Sequence, residues 1–271
     1  MAAGPLPRPL IARDDSELFR ARPDLFVTTD DGQPVFAGRN WGGPCHALDV
    51  THPDAAEFLA DTLRPVVAAG FTFLKLDFLF AAALPGHRRV DDLSGEAAYR
   101  HGVETVRRIV GDDVYLLACG APVIASLGVF DGIRVGPDVA PWWELADVTR
   151  YLHDVSAPST RYAVATSAHR LWLSAVVDTD PDVAYFRSRH CLLTREQQAM
   201  LQDMARIAGF RATSDPPIWL DESERAELRS FLADEPKVEH RGGHRYLVDG
   251  RAVDLGPVAD QPPGYIDWLP A

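Results

Sequence analysis

Lysine is scarce in this sequence: Lys75 and Lys237 are the only two, and every other basic residue is arginine. Positive charge is not in excess either, with 27 Lys and Arg against 39 Asp and Glu and a formal net charge of −12. A surface of that sign repels phosphate backbones and anionic lipid, so neither a nucleic acid nor a membrane is expected as a partner. Cysteine is limited to Cys45, Cys119 and Cys191, odd in number and far apart. They read as reduced thiols of a cytoplasmic protein, not as a disulfide framework. No apolar run reaches the ~18 residues of a transmembrane helix. The opening MAAGPLPRPLIARDD is proline-rich and lacks the apolar stretch of a signal peptide.

Several chemical signatures are missing as well. No G-x-G-x-x-G follows an early strand and no Walker sequence occurs, which leaves nucleotide-binding folds unsupported. The histidines, among them His52, His87, His101 and His153, form no H-E-x-x-H and no close helical pair, so no metal is expected. A serine hydrolase is disfavoured by the lack of a G-x-S-x-G elbow.

What is present is 271 residues with 46% hydrophobic and 24% charged content, enough for one large globular domain or two small ones. A short helix at DDSELFRARPD can be capped by Asp15 or Ser16 and is stopped by Pro23. The glycine- and proline-rich stretch 28–44 reads as a loop that carries Trp41, a candidate for binding. From residue 46 apolar strands alternate with helices. Strands are expected at 46–50, 71–80, 113–120, 132–138 and 210–215, and helices at 54–70, 95–111, 194–209 and 223–234. The segment 169–177 fits either type. A hairpin is expected around Asp249-Gly250. Apolar strands each followed by a helix imply a parallel sheet covered by helices.

Asp77, Cys119 and Asp138 fall at the carboxyl ends of strands, where (β/α) barrels place their chemistry. Strand alternation puts Lys75 and Asp77 on one face, which is costly unless the two are satisfied or used. The functional reading is a nucleophilic carboxylate kept ionised by a nearby cation; the plain one is a structural ion pair. Asp138 is either a turn aspartate after Pro137 or a second catalytic carboxylate, with Arg134 inward on its strand. Two carboxylates on nearby strand ends are the equipment of glycoside hydrolysis. Cys119 reads most simply as a small buried thiol, with packing beside a sugar as the alternative. Trp41, Trp142 and Trp143 are either sugar-stacking platforms or packing anchors.

The segments NWGGPCHALDVTHPDA, FLKLDFLFAAALPG, LLACGAP, IRVGPDVAPWW and RLWL occur in the order found in the α-galactosidases of glycoside hydrolase family 36. The sequence resembles that family from about residue 9 to about residue 258. The resemblance implies a retaining hydrolysis of terminal α-galactosides, with Asp77 as nucleophile and Asp138 as acid/base. It implies Lys75, Arg134, Cys119 and Trp41 as galactose-binding residues, a small oligosaccharide or glycoside as substrate, and no cofactor. RLWLSAVVDTDPD departs from the family's RLWLNDPD, so Asp180 and Asp182 receive no role.

The family's N-terminal β-sandwich and first barrel strands, with an acidic pair that binds galactose hydroxyls, have no counterpart in these residues. The fold expected is therefore an α/β (β/α)8 barrel of TIM type, incomplete at about six strands. It would occupy residues 1–234, with the first hairpin of a C-terminal β domain at 235–271. Open strand edges of that kind invite self-association into a homo-oligomer. An inactive remnant, a subunit that needs a partner for the missing strands, and an enzyme for another sugar are the competing expectations.

Overall fold

The computed structural model describes residues 9–144 and 158–261. His153 lies outside the described residues. The chain divides into two compact units, Met1–Ile133 and Arg134–Ala271.

Unit 1 begins with β1 (Ile11–Arg13) and α1 (Glu17–Ala21), followed by a 3-10 turn at Pro23–Leu25. Of the two candidate caps for α1, Ser16 acts: its Oγ accepts from the Phe19 amide at 3.2 Å. The stretch expected as a loop is instead a hairpin of β2 (Phe36–Asn40) and β3 (Gly43–Ala47). Trp41 and Gly42, at φ 51° and 85°, form its two-residue turn, the left-handed geometry that matches strand twist. The alternation along β3 is real but chemically faint. Its buried side is Gly43, Cys45 and Ala47, residues too small to stand out as a hydrophobic face. β1 pairs antiparallel with the other edge of β3.

Next come α2 (Pro53–Ala68), β4 (Phe73–Leu76), a 3-10 turn at Leu79–Ala83, α3 (Gly95–Val110), β5 (Tyr115–Ala118), α4 (Val123–Ser126) and β6 (Gly132–Arg134). β4 and β5 pair in parallel, with Lys75 opposite Leu117, and β5 continues the ladder to β6. Leu74, Leu76 and Leu116 are fully buried, the near-continuous apolar character of strands covered on both faces. Arg107 near the end of α3 ties this layer together. Its guanidinium donates to the carbonyls of Val129 and Val114 and pairs with Asp131, whose carboxylate also accepts from the Leu116 amide. Tyr99 of α3 is fully buried, with its hydroxyl 2.6 Å from Ser126 Oγ.

Unit 2 opens at Arg134, the last residue of β6. It contains α5 (Thr160–Arg170), a 3-10 turn at Leu171–Ala175, β7 (Asp178–Asp180), α6 (Arg195–Ala208), α7 (Glu222–Ala233), β8 (Val238–His240), β9 (Arg245–Val248), β10 (Arg251–Asp254) and α8 (Gly256–Ala259). Val135, just past β6, donates to the Asp180 carbonyl of β7 at 2.9 Å. α5 was not legible in the sequence. Thr160, Arg161, Ala163, Val164, Ser167 and Ala168 are all buried, so no single apolar stripe marks it. The ambiguous 169–177 is the end of α5 and its 3-10 extension. Thr194 and Gln197 form a reciprocal capping box on α6, which Gly209 closes. β9 and β10 meet at the expected Asp249-Gly250 turn, and β8 flanks β9. Val248 and Val253 share a core with Phe186, Leu201 and Phe231.

The strand expected at 210–215 forms no ladder. Thr213 Oγ1 accepts from the Asp215 amide, and the Asp215 carboxylate takes the amides of Phe186 and Arg187. The Ala184 amide donates to the Ala212 carbonyl, but for Phe186 and Arg187 a side-chain acceptor takes the place of the carbonyls a partner strand would supply. Among the described residues no helix is long and apolar enough to cross a membrane.

Candidate active site

In unit 1 the chemistry gathers at the end of β4. Lys75 and Asp77 are half-buried while Leu74 and Leu76 are fully buried, so the two charged residues do share a face. Among the described residues no ion pair joins them, so the alternative reading, a structural ion pair, is not realised. Asp77 Oδ1 accepts from the Phe78 amide at 2.7 Å. Phe78 itself sits at φ 57°, a conformation that costs a bulky residue of order 1–3 kcal/mol. That twist turns the chain from β4 into the 3-10 turn, whose first amides, Leu79 and Phe80, donate to the carbonyls of Cys119 and Gly120 beyond β5. The ends of β4 and β5 are thereby fastened side by side, and Cys119 just beyond β5 is buried.

Trp41 reaches the same place from the β2–β3 turn. Its ring packs edge-on to Phe78 at 5.1 Å, yet the residue is 41% exposed. A partly exposed tryptophan is suited to stacking against an apolar sugar face.

In unit 2 the centre is Arg134, with only 2% of its side chain exposed. Its Nη2 lies 3.0 Å from Asp138 Oδ1 and 2.6 Å from Asp182 Oδ2, and its Nη1 lies 3.8 Å from Asp180 Oδ2. A buried guanidinium needs such carboxylates to offset its desolvation. The carboxylates differ in what else they do. Asp182 Oδ2 also accepts from the Val139 amide, and Asp180 Oδ1 accepts from the Asp182 amide. Asp182, at φ 79°, lies in the left-handed region that aspartate tolerates better than phenylalanine. Asp138 has 70% of its side chain exposed. Gly136 brings the segment close to α5: a Cβ there would lie 2.6 Å from Ser167 Oγ and 3.0 Å from the Ala163 carbonyl. On the far side, Thr160 Oγ1 donates to the Ala140 carbonyl.

The structure thus gathers Lys75, Asp77, Cys119 and Trp41 around one strand end, and Arg134 and Asp138 around another. Trp142 donates its indole proton to the Pro158 carbonyl, the bond of a packing anchor. Asp180, Asp182 and Phe78 are the residues that sequence reasoning left without a part. For the aspartates a signal existed, two acids flanking Pro181 just after an apolar segment. For Phe78 there was none, because a positive φ leaves no mark on a bulky residue.

Aspartates just beyond two strand ends and a partly exposed tryptophan are the features these residues present. No family profile matches the chain. Among solved structures it is similar to TtGalA, the α-galactosidase of Thermus thermophilus. Against the complex with p-nitrophenyl α-D-galactopyranoside the identity is 45% over 93% of this chain and 51% of that one, at a TM-score of 0.85. Against the stachyose complex it is 47% over 84% and 49%, at 0.77. At the level of fold alone it is similar to the family 36 α-galactosidase AgaA of Geobacillus stearothermophilus (17% identity, 83% and 29% covered, TM-score 0.51). It is likewise similar in fold to the isomalto-dextranase of Arthrobacter globiformis T6 (17%, 89% and 46%, 0.53). The chain is similar to these α-galactosidases, and it spans about half the length of TtGalA.

Proposed function

We propose that this chain carries the catalytic strand ends of a retaining α-galactosidase. The Asp77 carboxylate attacks the anomeric carbon and forms a glycosyl ester as the glycosidic bond breaks, while Asp138 gives its proton to the leaving oxygen. Asp138 then takes a proton from water, the water oxygen bonds to the anomeric carbon, and Asp77 is released with net retention. The carrying observation is that each aspartate is held by one oxygen only. Asp77 is held by the Phe78 amide and Asp138 by Arg134, and among the described residues no hydrogen bond reaches the second oxygen of either.

The other parts follow. Lys75, with no ion pair among the described residues, presents its ammonium to sugar hydroxyls. Trp41 stacks on the galactose, and Cys119 packs beside it. Arg134, engaged by carboxylates, acts by fixing Asp138. The substrate is an α-galactoside of the kinds named in the TtGalA complexes, a p-nitrophenyl galactoside or stachyose. Three thiols and an acidic surface suit a cytoplasmic setting.

A second reading draws on the 51% coverage of TtGalA: the chain works together with a partner, or a second copy, that supplies further barrel strands. The test is to purify the 271-residue chain, determine its mass in solution, and assay it on p-nitrophenyl α-galactoside with and without azide. The proposal expects Asp77→Ala to lose turnover and azide to restore part of it as the inverted β-azide. Full activity in Asp77→Ala would overturn the assignment. A stable monomer with high turnover would overturn the second reading.

A further inference from the structure

Away from these strand ends, three side chains converge from distant points in the sequence of unit 2. His169 lies in the last turn of α5, His244 directly precedes β9, and Asp260 caps the end of α8. One ligating atom from each lies within 4.8 Å of the other two. We propose that His169, His244 and Asp260 bind a divalent late first-row transition ion, Zn2+ being the best fit, which clamps the C-terminal turn of unit 2 onto α5. The clamp is structural and takes no part in the hydrolysis proposed above.

The geometry is close to what such an ion needs. His244 Nε2 and Asp260 Oδ1 are 3.7 Å apart. Two bonds of about 2.0–2.1 Å at a tetrahedral angle place their ligand atoms roughly 3.3 Å apart, so this pair closes by a few tenths of an ångström. The histidine rings stand edge to face, 4.8 Å between centroids at 88°, so they are not stacked face to face.

The proton inventory also agrees. His169 Nε2 lies 3.0 Å from the Ala259 carbonyl. A carbonyl can only accept, so Nε2 carries the proton and Nδ1 keeps the lone pair. A hydrogen bond from the far ring nitrogen to a backbone carbonyl is the support that metal-bound histidines receive. Two imidazoles and one carboxylate suit Zn2+, Co2+ or Ni2+, while Ca2+ and Mg2+ favour oxygen ligands. His244 and Asp260 line an open groove with Asp254, Pro257 and Gln261, which leaves room for water to complete the coordination.

The ion would add to a junction that already packs, with Leu255, Val258 and Ala259 in one core with Ala163, Val164 and Ala168 of α5. The Asp254 carboxylate accepts from the Gly256 amide, and the His244 carbonyl accepts from the Leu255 amide. His169 adds its bond to Ala259.

The test uses the full chain, stripped with chelator and dialysed at neutral pH. Zn2+ is titrated by calorimetry, and Co2+ by its visible absorption. One ion per chain is expected, with a Co2+ spectrum of four- or five-coordinate form. His244→Ala and Asp260→Asn should each weaken binding by about tenfold or more. His101→Ala, an exposed histidine of unit 1, should leave it unchanged. Zn2+ should also slow proteolysis after β10 in the parent chain and not in the two site variants. The altered side chains are half-buried or exposed, and circular dichroism establishes that each variant is folded. Binding weaker than about millimolar, or equal binding in the parent, His244→Ala and Asp260→Asn, would overturn the proposal.

Discussion

The ends of β4 and β6 solve the same problem in opposite ways. Each carries an aspartate just beyond a basic residue, Lys75 with Asp77 and Arg134 with Asp138. At β4 the ammonium is half-buried and joins no ion pair among the described residues, while the carboxylate leans on a backbone amide. At β6 the guanidinium is almost fully buried and gathers Asp138, Asp180 and Asp182. Lysine is a compact point charge that water or a ligand hydroxyl can satisfy, whereas arginine is a planar fork that accommodates several carboxylates. One end is left open to a ligand, and the other is built first as a structural network from which a single carboxylate protrudes.

The largest expected effects test whether the two aspartates differ in chemistry. Asp77→Ala should lower turnover of an aryl α-galactoside at least about a thousandfold, because no other nucleophile replaces it. Asp138→Ala should cost about 10²–10⁴ on substrates with poor leaving groups and much less on aryl ones, since protonation matters less as the leaving group becomes more acidic. Equal losses on both substrate types would erase the distinction between the two strand ends.

The next effect is on stability. Arg134→Met leaves the buried Asp180 and the half-buried Asp182 without their cation, and urea unfolding should show a loss of about 3–5 kcal/mol. Lys75→Met should stay within about 1 kcal/mol of the parent while kcat/KM falls. Similar destabilisation by both would mean that Lys75 is as structural as Arg134.

Gly136→Ala tests how tightly the β6 end is pressed on α5. The added Cβ meets Ser167 Oγ and the Ala163 carbonyl, and the overpacking should cost about 1–3 kcal/mol by thermal unfolding. The same substitution at Gly111, where a Cβ meets nothing within 4 Å but φ is 81°, separates packing from backbone strain.

The smallest effect lies in unit 1, at Tyr99 of α3. Ser126 Oγ also lies 2.7 Å from the Pro122 carbonyl and donates its proton there, so Tyr99 donates to Ser126. Burial pushes the Tyr99 hydroxyl up to about 12. In the unfolded chain a tyrosine ionises near 10, so its contribution is whole below about pH 10 and is lost as pH rises toward the folded value. Tyr99→Phe should cost about 1 kcal/mol at neutral pH and flatten the alkaline loss of stability by one proton. An unchanged alkaline slope would assign that loss to other groups.

Much of this architecture could be read from the chain. The helices at 54–70, 95–111, 194–209 and 223–234 each have a periodic apolar face with a cap or a terminal glycine, and all are present within a few residues. α5 escaped because burial on several sides erases periodicity. The β2–β3 hairpin escaped because its buried face is made of glycine, cysteine and alanine. At 210–215 the residues look strand-like, but Thr213 and Asp215 spend their side chains on backbone amides. The strand ends themselves were legible: alternation predicted that Lys75 and Asp77 share a face, and they do.

What the sequence determined by itself was local: which segments form strands and helices, and which acids stand at strand ends. Those depend on spacing along the chain and on side-chain types, both of which a sequence displays. Which cation meets which carboxylate was decided by tertiary structure alone. The clustering of Asp180 and Asp182 on Arg134, the left-handed turn at Phe78 and the meeting of His169, His244 and Asp260 involve residues that become neighbours only after folding. Burial and distance set those interactions, and neither quantity exists until the chain has packed.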